Sequence, residues 1–149
     1  MKKIIYTRPD GGLCVVHPVI NTRGEAEGFT EDDALARALA KLPADAINPQ
    51  VVEASAIPAD RTFRNAWKSG AGNVEHDMPK CCELLKGMLR ANRVPQLAAL
   101  DTAYMRADEA GDIAEKKRIA ARKQVLRDVT SNHAIAAATT VAELKALIP

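Results

Sequence analysis

Residues 97–129 read LAALDTAYMRADEAGDIAEKKRIAARKQVLRDV. Leu97, Leu100, Tyr104 and Ala107 recur at the three- and four-residue spacing of one helical face, and the stripe stops at Gly111-Asp112. Glycine suits the position just beyond a helix C-terminus, and aspartate suits the N-cap of the next. A second helix is therefore expected over 113–129, burying alanines with Ile119, Val125 and Leu126. Two long helices joined by so short a connection make an antiparallel hairpin.

Working backward, Asp77 is expected to cap a helix with Pro79 in its first turn, where proline is tolerated. Cys81, Leu84, Leu85, Met88 and Leu89 give that helix an apolar side. Pro95 is expected to break or kink it near Asn92, because a mid-helix proline loses a hydrogen bond and crowds the preceding turn. Forward of the hairpin, Thr140-Val141-Ala142-Glu143 has the form of a capping box opening a short terminal helix.

The N-terminal part reads differently. IIY (4–6) and LCVV (13–16) are β-branched runs separated by Pro9-Asp10-Gly11-Gly12, the chemistry of a hairpin reversal. GFTEDDALARALAKLP (28–43) predicts a helix capped by Thr30, acidic in its first turn, with Leu35, Ala38, Leu39 and Leu42 on one face. VVEASAI (51–57) predicts a third strand. DRTFRNAW (60–67) comes next, holding two of the chain's five aromatic residues. Asp60 is expected to cap a short helix carrying Phe63 and Trp67 on one side, as a plug between the small sheet and the helical region.

The expected fold is α+β, mainly α. A hairpin/helix/strand unit over 1–72 precedes an antiparallel helical hairpin and a short terminal helix over 73–149, an order compatible with one shared core. The expected core is Phe63, Trp67, Leu85, Leu97, Leu100, Tyr104, Ile119 and Leu126.

Composition narrows the classes of function. The chain has 149 residues, 47% hydrophobic and 27% charged, with a net charge of +2. Residues 1–77 carry 9 basic and 11 acidic side chains, and residues 78–149 carry 12 and 8. Neither half has the strongly basic footprint of a dedicated nucleic-acid binder. No apolar run approaches the roughly 18 residues that span a bilayer, and MKKIIYTRPDGG lacks the apolar core of a secretion signal. The expectation is a protein made and kept in a cytoplasm. Its three cysteines, Cys14 and the adjacent Cys81 and Cys82, do not form a disulfide framework.

No nucleophile elbow, phosphate loop or dinucleotide fingerprint occurs. Cys14 and His17 have the spacing of half a zinc site, but a thiol and an imidazole at a strand end account for them more simply. Glu75-His76-Asp77 points three side chains in different directions from an extended loop. No catalytic residue, metal or cofactor is expected. The strongest charged feature is EKKRIAARK (115–123). A solvated helix face is its plainer reading, with Glu115 paired to Arg118 at i+3. In its functional reading, Lys116, Lys117, Arg118, Arg122 and Lys123 bind an acidic protein surface. Nucleic acid is disfavoured as a partner, since no aromatic rings interleave for base stacking.

Three stretches taken together resemble a known group. IIYTRPDGGLCVVHPV (4–19), IPADRTFRNAW (57–67) with DMPK (77–80), and LAALDTAYMRADEAGD (97–112) with RKQVLRDVT (122–130) are similar to small proteins of tailed bacteriophages and prophages. Their genes lie among tail, tail-fibre or baseplate genes. The sequence departs from that pattern at Cys81-Cys82, where a small and a basic residue are expected. The resemblance implies no enzymatic activity. It implies a virion structural or accessory protein of the tail, baseplate or fibre-attachment region, made in the bacterial cytoplasm. Such a protein docks onto other phage virion proteins in a multi-copy symmetric assembly, with no membrane involved. The alternatives are a tail-fibre assembly chaperone that leaves before the virion matures, and a nucleic-acid-binding phage regulator using the basic helix.

Overall fold

The structure, a computed structural model, describes residues 1–20 and 28–149. It is α+β and divides into two compact units, Met1–Asp77 and Met78–Pro149. The division falls beyond residue 72 because Gly70–Gly72 turns between two short strands of the first unit.

In the first unit, β1 (Lys2–Thr7) pairs antiparallel with β2 (Leu13–Val16) through a tight loop. Gly11 takes φ +79, Asp10 accepts a hydrogen bond from the Gly12 N–H at 2.8 Å, and the Arg8 N–H donates to the Gly12 carbonyl at 2.8 Å. Only a residue tolerant of the left-handed region fits at Gly11. The helix α1 (Glu31–Ala40) opens on a complete capping box, in which Thr30 and Asp33 satisfy each other's backbone N–H groups. Ala34 and Leu35 are its buried residues, whereas Leu39, expected on the same face, is 38% exposed.

The third strand is displaced from its expected place. β3 covers Ile47–Glu53, and Ala54–Ala56 forms a 3-10 turn. β3 pairs antiparallel with β1, giving the order β2-β1-β3. Its register slips by one residue between Ile5 and Thr7, where Asn48 adopts φ +48. Asparagine is among the few side chains that visit this region, and the extra residue makes a β-bulge.

DRTFRNAW does not form the expected helix. Asp60 caps only its own turn, accepting from the Thr62 N–H at 2.9 Å and its hydroxyl at 2.7 Å. A single 3-10 turn spans Arg64–Ala66, and Trp67 then begins β4 (Trp67–Ser69), paired antiparallel with β5 (Val74–His76). Phe63 and Trp67 are both buried, at 1% and 5% exposure, but not as neighbours on a helix. Trp67 packs with Ile5, Val52 and Val74, and Leu13, Val15 and Ile57 lie against that cluster. Its indole N–H donates to His76 Nε2 at 3.1 Å across the two strands. Ring and hydrogen bond together seal one face of the three-stranded sheet, while α1 packs on β1.

In the second unit, α2 (Met78–Glu109) continues as one helix through Pro95, so of the expected break or kink the break does not occur. Proline removes one intrahelical hydrogen bond, and neighbouring side chains tie the region down. Gln96 donates to the Asn92 carbonyl at 3.3 Å, while Arg93 reaches across to α3 (Ile113–Asp128). There its guanidinium donates to the carbonyls of Leu126 at 3.2 Å and Arg127 at 2.7 Å. Those groups belong to the last turn of α3, where carbonyls lack intrahelical partners and the helix dipole favours a cation.

The expected turn between the helices is present. Gly111, at φ +68, and Asp112 donate back to the carbonyls of Asp108 and Ala107, and Asp112 in turn caps α3 by accepting from the Glu115 N–H at 2.9 Å. Residues 93, 97, 100, 104 and 107 of α2 face 116, 119, 123 and 126 of α3 at alternating three- and four-residue steps.

Two helices share a single seam, so most of it stays half-buried. Leu97, Leu100, Tyr104 and Leu126 are half-buried rather than core, and Val125 is 71% exposed. Ile119 and Ala107 are buried in the seam, and Leu85 with Cys81 and Leu89 in the first half of α2. Beyond α3 come two short helices: α4 (His133–Ala137), not expected from the sequence, and α5 (Val141–Lys145) with its Thr140–Glu143 capping box. Cys82 donates to the Ile135 carbonyl at 3.3 Å, and Ile135 and Leu144 are fully buried.

Two substitutions test this packing. Trp67→Ala is expected to destabilise the protein by about 3–5 kcal/mol in denaturant unfolding, as large-to-small core changes do. Arg93→Ala leaves two carbonyls of α3 without their charged donor. It is expected to lower stability by about 1–3 kcal/mol, with amide exchange accelerating first at the end of α3.

Candidate interaction surface

The five basic residues of the 115–123 cluster do not share a surface. Lys116 and Lys123 sit one heptad apart on the side of α3 that faces α2. Lys116 pairs with Asp108 and Lys123 with Asp101, and both ammonium groups stand 5.4 Å from the centre of the Tyr104 ring. Only 16% of the Lys123 side chain and 29% of that of Lys116 remains exposed. The hydrogen bond that Lys116 donates to Asp108 holds the Lys116 pKa above its ordinary value. Arg118 pairs with Glu115 within its own helix. Lys117, Arg118 and Arg122 are the residues of the cluster that remain exposed.

This separation has a sequence signal that the cluster's density conceals. Asp108 and Lys116 lie symmetrically about Asp112, as do Asp101 and Lys123. In an antiparallel hairpin turning at Gly111-Asp112, residues equidistant from the turn meet. Opposite charges at such positions announce cross-links between the helices, not a free basic face.

The residues that suggested chemistry are occupied structurally. His76 accepts from Trp67, Glu75 pairs with Lys68 at 3.8 Å, and the Asp77 N–H donates to the Ala66 carbonyl at 2.8 Å. Cys14 faces Tyr6 across the β1–β2 pairing, and the hydrogen bond with Cys14 pushes the Tyr6 pKa up. His17 lines a groove of 480 Å³ between the sheet and α1, with Val16, Ala34, Arg37 and Leu42. No disulfide joins Cys14, Cys81 or Cys82 to one another. Among the described residues, no three His, Cys, Asp or Glu side chains are grouped to hold a metal ion, and no helix is long and apolar enough to cross a membrane.

A second pocket, of 320 Å³, has no counterpart among the sites expected from the sequence. It lies beside β2 and is lined by Arg8, Gly12, Leu13, Cys14, Val15, Arg61, Arg64, Asn65 and Trp67. Arg61 stands 5.9 Å from the Trp67 ring centre. The arginines come from two segments far apart in sequence, so no local run of charge marks them.

No family model, no curated protein and no solved structure matches the chain.

The Tyr104 arrangement predicts coupled energetics. A double-mutant cycle of Tyr104→Leu and Lys123→Met, followed by denaturant unfolding, is expected to give a coupling of about 0.5–1 kcal/mol. Additive single effects would mean that the ammonium and the ring do not interact.

Proposed function

We propose that this protein is a structural accessory component of a tailed-phage particle, belonging to the tail, baseplate or fibre-attachment region, and that it acts by docking onto other virion proteins. The observation that carries the reading is the combination of the three sequence stretches that resemble small phage proteins. They fall in both units and include the β1–β2 hairpin, the Trp67 segment and the helical hairpin. Two features of the surface support a docking role. The three-stranded sheet ends in two edge strands, and edges invite pairing with a neighbouring chain. On α3, Lys117, Arg118 and Arg122 offer a rim of positive charge suited to orienting an acidic partner.

The disposition of Lys116 and Lys123 weakens the rival reading of a nucleic-acid-binding regulator. Two of its five basic side chains are already paired with Asp108 and Asp101. Counterion release scales with the number of free cations, so the hairpin retains little of the electrostatic footprint that such binding needs.

Mass spectrometry of purified particles tests the proposal. The chain is expected in intact virions at a copy number matching the symmetry of the layer it occupies. A chain abundant in infected cells and missing from particles would overturn the structural reading in favour of an assembly chaperone.

A further inference from the structure

We propose that β2 and the arginine-lined pocket beside it form the docking site for an extended acidic segment of a partner protein, which joins the sheet as an added strand. The inference rests on the docking role above and names where the partner binds and by what chemistry.

The two edges of the sheet are unequal. β3 carries the devices that blunt an edge: a bulge with Asn48 at φ +48, and Pro49, which has no N–H to offer. The Gln50 side chain also bridges β3 to the β4–β5 hairpin, donating to Ser69 Oγ at 3.0 Å and accepting from the Gly72 N–H at 3.2 Å. β2 has none of these. Its four residues, LCVV, include no charge, proline or bulge, and among the described residues it pairs with β1 alone. In an antiparallel pair, alternate residues turn their N–H and C=O groups away from the partner strand. β2 therefore presents a short row of backbone groups ready for another strand.

The pocket supplies the selectivity. Three of its nine lining residues are arginines and none is acidic, in a unit whose own charge balance is −2. Arg61 and Arg64 have no ion-pair partner among the described residues, and Arg61 lies over the indole of Trp67. Among the described residues Arg8 pairs with Asp10, at 3.3 Å, and the two side chains are about half exposed. Such a pair contributes little and exchanges readily. A guanidinium presents a planar fork that matches a carboxylate bidentately. In an added strand, every second side chain falls on the same side of the sheet. Acidic residues at alternate positions would thus meet the arginines while the strand's backbone pairs with Leu13–Val16.

A second copy of this chain fits less well. Pairing β2 with β2 would bring two sets of three arginines together without compensating acid.

The test uses the whole 149-residue chain and a short capped peptide that alternates Glu with Val and Thr. Titration followed by amide NMR is expected to shift Leu13–Val16 and the Arg61 and Arg64 side chains, with saturation. Arg64→Ala, which leaves Trp67 covered, and the double variant Arg61→Ala/Arg64→Ala are expected to weaken binding progressively, by about tenfold or more for the pair. The same peptide N-methylated at alternate backbone positions is expected not to bind, and this arm needs no protein variant. Four results would overturn the site: no binding at millimolar peptide, equal binding of the N-methylated peptide, shifts confined to other residues, or concentration-dependent dimerisation that protects β2. The outcome is separable from that of the particle analysis. Peptide binding by a chain missing from virions keeps the site and discards the virion role. Indifference to the peptide in a chain found in virions does the reverse.

Discussion

A shortage of aromatic surface governs how this chain is built. With two Phe, two Tyr and one Trp in 149 residues, most burial falls to Ala, Leu, Ile and Val. One large ring removes roughly 150–250 Å² from water, several times what an alanine contributes. Trp67 in the first unit and Tyr104 in the second stand where elements must be held together, and both rings are flanked by cations. Trp67 lies under Arg61, and Tyr104 lies between Lys116 and Lys123. The aliphatic stems of these long side chains cover apolar surface, while the charged heads stay hydrated or paired. In a chain short of rings, the basic residues complete the packing.

That use of charge explains why the apparent basic patch on α3 is smaller than it reads. A two-helix hairpin has one seam, and apolar side chains cannot close it from the flanks. Lysines paired with Asp101 and Asp108 close one flank instead. Exposed ion pairs contribute little to stability, but a lysine mostly removed from water and stacked beside a ring contributes through its stem as well as its charge. Two of the basic side chains of residues 78–149 are therefore paired between the helices, and Lys117, Arg118 and Arg122 are the cations that the cluster leaves exposed.

Legibility in the sequence depends on the range of the interactions. The Thr30–Asp33 and Thr140–Glu143 boxes, the Gly111-Asp112 junction and the Pro9–Gly12 reversal are all readable, because each satisfies backbone groups within a few residues. Misreadings arise where distant partners decide. Phe63 and Trp67 are four apart, which mimics a helical face, but Trp67 belongs to a strand because His76 and the face of the sheet hold it there. α2 continues through Pro95 where a break is one of the two expected outcomes, and Arg93 fastens that region to the far end of α3. The arginine pocket is invisible for the same reason. Arg8 and Arg61 are separated by most of the first unit, and only the pairing of β1 with β2 and the path into β4 make them neighbours.

Arg61 joins the two themes. Lying against the indole, it helps to shield the ring that seals the sheet, and it lines the pocket beside β2 as well. Stacking also restricts its rotamers, so less freedom is lost when a carboxylate arrives. Arg64, one residue beyond Phe63, lines the same pocket and contributes charge without that order. A recognition surface assembled this way needs no additional scaffold. The contact that closes the hydrophobic core also orients a cation toward the open edge, so the stability of the sheet and its readiness to receive a strand rest on the same ring.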